Sequence, residues 1–364
     1  MKQKELIIFL PSIEGYGVEK NAFLISNYLA NKIDVSLITV SKKYKNKFKK
    51  NIKLILPKLD FWDKLGRKTK YLICLFLLFK KAFIKKDLLV FCFQANIYCI
   101  ILCKILNIKI IARSNSSPSG WANNFLKSFI FRMVLGKADL ILVNSLEFKR
   151  QLKNRFNVKA KCIYNPLNVK EIKKKSKINS LKIFNTKKVL KIINIGRFVY
   201  QKDHITILKA LKFIEKKVEF EAAIVGSGFL KNDLINYTKK NKMSKKVKFI
   251  NFTSNVYPLI KQADIFILSS IFEGLPNVLL EATTLKKFII SSNCPTGPKE
   301  ILLNGKGGLL FKIGDYKELG EKIIYYLNNK KKCKLMLNNS VMKLDRFDEN
   351  LNLKKHLNEI NKLM

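Results

Sequence analysis

The sequence predicts an α/β protein with two doubly wound, Rossmann-like domains. Three observations carry this prediction. Short apolar runs typical of buried strands alternate along the chain with segments of helical apolar spacing. Glycine-containing turns follow several of these runs, as at residues 12–20 and 225–228. Residues 170–188, rich in Lys, Ser and Asn, separate two series of alternation and are the best linker candidate in the chain.

The first series predicts helices at 18–29 and 121–135 and strands at 6–10, 34–40, 52–56, 88–93, 108–113 and 140–144. The second predicts helices at 205–214 and 315–326 and strands at 189–195, 220–225, 246–252, 264–268, 288–292 and 307–311. Residues 346–363 have the spacing of a last amphipathic helix. We therefore expect a first domain at 1–168, a linker at 169–188, a second domain at 189–345 and a C-terminal helix within 346–364.

The chain is strongly basic, with 71 Lys and Arg against 26 Asp and Glu and a formal net charge of +45. A nucleic-acid-binding protein is one explanation, but the sequence contains no ribonucleoprotein motif, zinc knuckle or arginine-rich arm. Lys, Ile and Asn are all abundant, so coding bias explains part of the excess. Each Lys or Arg near an anionic lipid surface contributes roughly 1 kcal/mol of attraction. We expect an anionic membrane surface as a partner, and no nucleic acid.

The seven cysteines are scattered without a Cys-x-x-Cys pair, which is typical of reduced thiols in a cytoplasmic protein. His204 and His356 have no metal-ligand spacing with them, so no metal is expected. Two histidines also leave little room for a Ser-His-Asp hydrolase. The first strand-like run, residues 5–10, comes without a signal-peptide layout. We expect a cytoplasmic protein.

The most apolar segment, residues 71–79, is too short to span a bilayer. Basic side chains flank it on both sides: Arg67, Lys68, Lys70, Lys80, Lys81, Lys85 and Lys86. Two interpretations stay open. The segment is either an ordinary buried helix or a helix lying in the membrane interface.

Residues 269–281, SSIFEGLPNVLLE, contain the two candidate carboxylates of the second domain. Pro276 can open a helix, which places Glu273 in the preceding loop and Glu281 one or two turns inside the helix. A helix start favours phosphate, and carboxylates beside it can accept hydrogen bonds from sugar or ribose hydroxyls. The alternative is that Glu281 only complements the helix N-terminus and Glu273 is a solvated loop residue.

Candidate cations follow two other predicted strands. Arg197 and Lys202 come after Gly196, where two fixed cations suit a diphosphate, although any turn of so lysine-rich a chain contains basic residues. Arg113 and Asn115 follow a strand of the first domain, at the sheet edge where such folds bind ligands. Arg113 can instead cap the strand end or pair with a surface carboxylate.

In combination, these motifs resemble the retaining glycosyltransferases of family 4. The matching pieces are Gly196-Arg197 with Lys202, the Val225-Gly226-Ser227-Gly228 turn, Glu273 and Glu281 in the E-x7-E spacing, and Gly307-Gly308-Leu309-Leu310 leading to Gly314-Asp315. Residues 293–302, NCPTGPKEIL, are similar to the subgroup that assembles bacterial surface glycans. The resemblance spans essentially the whole chain and is weaker in the first half.

The resemblance implies the GT-B fold, with two facing Rossmann-like domains, an interdomain cleft and a last helix that crosses back to the N-terminal domain. It implies no cofactor or metal, and retaining transfer of a hexose or N-acetylhexosamine from a UDP-linked donor to a surface-glycan or polyprenyl-diphosphate-linked acceptor at the inner face of the cell membrane. Arg197 and Lys202 would hold the diphosphate, Glu281 the ribose and Glu273 the donor sugar, with Glu273, Arg197 and Lys202 as the catalytic set. Further donor contacts would come from Gly17, Gly196, Gly226, Gly274, Leu275, Pro276, Asn277 and Val278, and acceptor contacts from Arg113 and Asn115.

The first domain departs from the family pattern at two places. Its glycine turn reads Gly15-Tyr16-Gly17 where many members have adjacent glycines, and residues 113–115 stand where many have a histidine. No catalytic residue is therefore assigned there.

Two other functions compete. A sugar-nucleotide 2-epimerase of the same fold would be expected to keep catalytic histidines, and this chain has only two in all. A non-catalytic basic protein could bind lipid or nucleic acid, but Glu273 and Glu281 beside a phosphate site would repel a polyanion.

Overall fold

A computed structural model describes residues 4–15, 17–115, 118, 125–186 and 188–364, without the side chains of Asp60 and Phe125. The chain forms two compact units. The first combines Met1–Pro166 with Glu349–Met364, and the second is Leu167–Asp348.

The first unit is built on a seven-stranded sheet in the order β3-β2-β1-β4-β5-β6-β7, with every pair parallel. Its strands are β1 (Glu5–Phe9), β2 (Val35–Ile38), β3 (Lys53–Ile55), β4 (Leu88–Cys92), β5 (Lys109–Ser114), β6 (Leu140–Val143) and β7 (Lys161–Cys162). Its helices are α1 (Gly17–Leu29), α2 (Arg67–Ile84), α3 (Asn96–Ile105), α4 (Phe125–Leu135), α5 (Leu146–Phe156) and, after the second unit, α14 (Glu349–Asn361). The order reverses between β1 and β4, as in a doubly wound fold.

Both faces of this sheet are covered, which explains why its strands are nearly continuous apolar runs. One core cluster joins the sheet to α2, α3, α4 and α5 through side chains such as Leu78 and Phe148. The opposite cluster joins it to α1 and α14 through Ile25, Leu353 and Ile360. The last helix thus supplies part of the first unit's core.

The second unit has a six-stranded parallel sheet in the order β10-β9-β8-β11-β12-β13. Its strands are β8 (Leu190–Ile195), β9 (Phe220–Gly226), β10 (Val247–Asn251), β11 (Ile265–Leu268), β12 (Phe288–Ser292) and β13 (Leu309–Phe311). Its helices are α6 (Val169–Lys175), α7 (His204–Ile214), α8 (Lys231–Lys240), α9 (Tyr257–Gln262), α10 (Asn277–Thr284), α11 (Pro298–Ile301), α12 (Tyr316–Asn328) and α13 (Lys330–Met342). The order reverses between β8 and β11.

The predicted fold class, two parallel-sheet Rossmann-like domains, is confirmed, and the structure corrects several details. The segment predicted as a linker begins with α6, which packs against α9 and α10 of the second unit. Strand β7 was not predicted, because two residues are too few to show a period. The last helix begins at Glu349, after a 3-10 turn at Leu344–Phe347. Of the helix predicted at 121–135, residues 121–124 lie outside the described part.

Among the described residues, none of the helices combines the length and apolar character needed to cross a bilayer. Helix α2 contains the apolar segment at 71–79. Only part of one side of it is buried, with Lys70, Cys74 and Leu78 facing inward. The segment is therefore not an ordinary buried helix, and its position in the membrane interface stays a prediction.

Candidate functional site

The candidate site of the second unit lies at the carboxyl ends of β8 and β11, where the strand order reverses. The loops that leave two such neighbouring strands turn to opposite faces of the sheet, and ligands of doubly wound folds bind in the crevice between them. The loop after β8 carries Gly196, Arg197 and Lys202, and the loop after β11 carries Glu273. Topology alone therefore brings together residues that are more than 70 positions apart in sequence.

An ion pair connects the two loops. Lys202 Nζ lies 2.5 Å from Glu273 Oε1, and the Ser270 hydroxyl donates to the same oxygen at 2.6 Å. Both charged side chains are largely shielded, with side-chain exposures of 17% and 9%. A cation and a carboxylate thus stand together at the sheet edge, with most of their water removed.

The backbone of these loops is fixed by hydrogen bonds on both sides of the ion pair. Ser269 Oγ donates to the Lys202 carbonyl at 2.8 Å, and Gln201 Nε2 donates to the Phe272 carbonyl at 2.8 Å. The Ile271 amide also donates to the Gln201 carbonyl, at 2.8 Å. Because these hydrogen bonds hold the two loops together, the ion pair is preorganised for binding.

The turn after β12 braces the Glu273 loop from the other side. Thr296 Oγ1 donates to the carbonyls of Glu273 at 2.5 Å and Gly274 at 3.0 Å. Gly297 has a φ of +57°, and a Cβ there would collide with the Gly274 carbonyl. Glycine is required at this position because two backbones meet there.

Glu281 is the fifth residue of α10 and is only 4% exposed. Pro276 is the N-cap of this helix rather than its first residue, so the prediction that it opens the helix is off by one position. Asn277 and Val278 form the first turn, and Gly274 and Leu275 lie in the loop before it. The structure places the predicted donor contacts from 274 to 281 on one continuous loop and helix start.

Gly226 has a structural requirement that the sequence did not indicate. It ends β9, and a Cβ there would collide with the Gly196 carbonyl. The absence of a side chain at Gly226 therefore allows the ends of β8 and β9 to approach closely, which fixes where the loop carrying Arg197 leaves the sheet. Whether Gly226 also contacts a ligand stays a prediction.

His204, to which the sequence analysis assigned no role, lies two residues after Lys202, next to the candidate site. It begins α7, is 2% exposed, and meets Phe198 edge-on at 5.1 Å between ring centroids. Neither ring nitrogen has a hydrogen-bond partner among the described residues. Burial, with the Lys202 charge nearby, lowers the pKa of His204 to about 3. The imidazole is thus neutral. In the sequence, the position of this histidine directly after the Lys202 turn is the feature that could have drawn attention to it.

The predicted acceptor-side residues have different environments from those expected. Arg113 lies at the carboxyl end of β5, but its guanidinium is fully buried and contacts Asn165 Oδ1 at 3.0 Å and His356 Nε2. It does not lie at an open rim, and its guanidinium contacts an imidazole and an amide oxygen rather than a surface carboxylate. A role of Arg113 in acceptor binding stays a prediction. Asn115 is half-buried and donates to the Phe93 carbonyl at 3.4 Å.

A histidine does reach this strand end, from α14. The C-terminal helix brings His356 to Arg113, although the two residues are 243 positions apart. Burial, and next the Arg113 charge, hold the pKa of His356 well below its ordinary value. The sequence pattern could not show this, because His356 lies in α14 and not directly after a strand of the first domain.

The glycine turn before α1 is described only in part. Gly17 begins α1, and Gly15 has a φ of +84° that favours glycine. Tyr16 lies outside the described residues. At the nearby reversal of the first sheet, Gln94 exchanges hydrogen bonds with the Ser12 backbone at 3.1 and 2.9 Å.

No group of three or more His, Cys, Asp or Glu side chains in the described part of the chain is placed to hold a metal ion. The loop after β8 carries two cationic side chains, Arg197 and Lys202. The expectation of metal independence stays a prediction.

Acid is expected to destabilise the protein through its two buried histidines. An unfolded histidine binds a proton below about pH 6.5, whereas His204 and His356 stay neutral when folded because their pKa values are lowered. The unfolded state therefore binds more protons, and the free energy of unfolding falls as the pH drops below about 6.5, by up to about 1.4 kcal/mol per pH unit for each histidine.

Urea unfolding between about pH 7 and 5.5 measures this slope, since most carboxylates titrate at lower pH. His204→Phe keeps an aromatic ring beside Phe198 and removes one titrating group, so its slope should be shallower. An unchanged slope in that variant would show that His204 is not neutral in the folded protein.

Comparisons with known proteins agree with this architecture. Residues 173–341 match the family model described as glycosyl transferases group 1. The structure of HepE from Anabaena in complex with UDP and glucose superimposes with a TM-score of 0.77 at 15% identity, covering 99% of this chain and 100% of that one. At that identity the likeness shows the fold alone. The GT-B fold and the resemblance to bacterial glycosyltransferases are confirmed, whereas membership of family 4 is not tested.

Two curated relatives come from Campylobacter jejuni. One, named N-acetylgalactosamine-N,N'-diacetylbacillosaminyl-diphospho-undecaprenol 4-alpha-N-acetylgalactosaminyltransferase, is 25% identical over 62% of this chain and 61% of its own length. The other, named as an alpha-1,4-N-acetyl-D-galactosaminyltransferase acting on a diNAcBac-PP-undecaprenol-linked glycan, is 30% identical over 43% of this chain and 44% of its own length. The matches thus span about half to three-fifths of these relatives.

Proposed function

We propose that this chain, whose second unit matches the group 1 glycosyltransferases, transfers a hexose or N-acetylhexosamine from a UDP-linked donor to a polyprenyl-diphosphate-linked or surface glycan. The observation that carries the proposal is the Lys202–Glu273 pair at the strand-order reversal of the second sheet. A cation for phosphate and a carboxylate for sugar hydroxyls lie there within one ligand's reach. The names of the Campylobacter relatives support the acceptor class.

The donor would occupy the crevice with its diphosphate at Arg197 and Lys202. Arginine binds phosphate with a forked pair of donors and lysine acts as a point charge. Glu281, buried on α10, would accept hydrogen bonds from the ribose. Glu273 would contact the donor sugar.

Catalysis would follow from charge placement. As the bond between the sugar's anomeric carbon and the diphosphate oxygen breaks, negative charge grows on the departing UDP, and Arg197 and Lys202 stabilise it where it develops. The acceptor hydroxyl attacks the anomeric carbon from the same face and passes its proton to the leaving phosphate. This route retains the anomeric configuration and uses side-chain cations where other enzymes use a metal.

The two competing functions have less support. For an epimerase, the chain offers two histidines, and both are buried at 2% exposure or less. A polyanion-binding protein would gain nothing from a carboxylate beside its main cation.

The membrane is part of the proposal. A polyprenyl-linked acceptor lies in the bilayer, and the chain's formal charge of +45 favours anionic lipid. We therefore place the enzyme peripherally at the inner face of the cell membrane.

A thermal-shift screen against UDP, GDP, ADP and their sugar conjugates, with EDTA present, tests the function. UDP and one or more UDP-sugars are expected to raise Tm, since ligand at about 100 times its Kd adds about 2.7 kcal/mol to the stability of the folded state. Retention of the response in EDTA supports metal independence. Absence of any nucleotide response, together with salt-sensitive binding to nucleic acid, would favour the polyanion-binding alternative.

A further inference from the structure

Large apolar side chains are exposed on three neighbouring helices of the first unit. Helices α2, α3 and α4 pack side by side on one face of the sheet. Their outward sides form what we term the outer face: Leu72, Phe76, Phe79 and Phe83 on α2, Tyr98, Ile101 and Ile105 on α3, and Leu126, Phe129, Ile130 and Met133 on α4, each at least 39% exposed.

The spacing within each helix makes these residues a stripe. On α2 the exposed residues recur at intervals of four, three and four, which places them along one side of a helix. The buried Cys74 and Leu78 lie on the opposite side. Helix α2 is therefore apolar on two sides, yet in the described part of the chain only one of them packs against protein. A helix that is apolar all round is normally covered all round.

Charge distinguishes this surface from an ordinary apolar patch. The sequences of α2, α3 and α4 contain no Asp or Glu. Lys68 and Lys80 are exposed beside the α2 stripe, with Lys80 Nζ 4.5 Å from the centroid of the Phe76 ring. By contrast, Lys81 turns inward and pairs with Glu5 at 3.0 Å.

The basic character continues beyond the stripes. Lys127 and Arg132 are exposed on α4, and Lys149 and Lys153 are exposed on the adjoining α5. The outer face thus combines apolar stripes with a border of cations, the composition of surfaces that lie in the head-group layer of anionic membranes.

We propose that the outer face inserts into the interfacial layer of an anionic phospholipid bilayer, with the aromatic and aliphatic stripes among the acyl chains and the lysines at the phosphates. A second copy of this chain is a poorer occupant, because two such basic faces repel each other. The inference deepens the proposed function by naming the surface that would bring the enzyme to its lipid-linked acceptor. The role of the outer face in bringing the enzyme to its acceptor rests on the proposed function, whereas the binding of this face to a membrane does not.

Vesicle co-sedimentation of the full chain tests the proposal. The probes are vesicles of phosphatidylcholine alone and of phosphatidylcholine with roughly one-third phosphatidylglycerol. The chain should bind the anionic vesicles more tightly, and high salt should weaken this binding. Phe76→Ser with Phe83→Ser should weaken it by about tenfold for each side chain, and Lys68→Gln with Lys80→Gln by about fivefold for each.

The matched control is Leu335→Ser with Met342→Ser on α13. These side chains are 67% and 72% exposed but belong to the second unit and are not part of the outer face. Equal loss of vesicle binding in this control and in the phenylalanine pair would overturn the proposal. So would a concentration-dependent dimer that the phenylalanine pair abolishes, since the occupant would then be a second copy.

Nucleotide binding separates this proposal from the proposed function. All the replaced residues are exposed, so the variants should keep the wild-type Tm and its shift with UDP. Vesicle binding without any nucleotide response would uphold the membrane surface and contradict the transferase. A nucleotide response with no vesicle binding would support the transferase and contradict the proposed membrane surface.

Discussion

Replacing Glu281 with alanine is expected to abolish measurable UDP binding. A buried carboxylate that accepts two ribose hydrogen bonds contributes about 1.5 to 3 kcal/mol per bond, so its loss should raise the Kd at least about 100-fold. Glu281 is 4% exposed on α10, the helix that begins beside the Lys202–Glu273 pair. Calorimetric titration of UDP into the wild-type and variant proteins measures the change.

The alternative for Glu281 is a structural role at the start of α10, and it predicts a different result. If the carboxylate only complements the helix N-terminus, Glu281→Ala should lower Tm and leave the Kd for UDP unchanged. Glu281→Gln keeps the size of the side chain and helps to separate folding from binding. Glu321→Ala, an exposed carboxylate on α12, is the matched control and should change neither quantity.

The sequence was most informative where one pattern of apolar spacing, or one turn motif, dominates a segment. The strands of both sheets are short apolar runs, and their alternation with helices was enough to predict two doubly wound sheets. The candidate site of the second unit could also be located, because Lys202 and Glu273 both follow strands and parallel strands present their carboxyl ends at one edge. Topology, not proximity in sequence, makes their contact predictable.

Pairings that depend on a single long-range contact could not be predicted. Arg113 was placed at the sheet edge correctly, but its burial depends on His356, which α14 brings from the other end of the chain. Likewise, the sequence does not show that a Cβ at Gly226 would collide with the Gly196 carbonyl. Only part of the outer face could be recognised from the sequence. The apolar segment of α2 is evident there, but the packing of α3 and α4 beside it is seen only in the structure.

Glu273 should affect turnover and nucleotide binding in opposite directions. Its carboxylate is paired with Lys202 at 2.5 Å, so a donor diphosphate has to compete with it for that lysine. Glu273→Gln removes the competing charge, and UDP should bind as tightly as before or more tightly. Donor turnover, followed as UDP release, should fall by about 100- to 1,000-fold if the carboxylate stabilises the transition state at the sugar.

Lys202→Ala is expected to give the opposite pattern for UDP. Loss of the cation weakens binding of the diphosphate and leaves Glu273 with an unpaired charge that repels it. Ser270→Ala is the matched control, because it removes only the 2.6 Å hydrogen bond to Glu273 and keeps the ion pair. Weaker UDP binding in Glu273→Gln, with turnover near that of the wild type, would mean that the pair merely holds the two loops together. The sign of the change in Kd therefore decides between a catalytic carboxylate and a structural one.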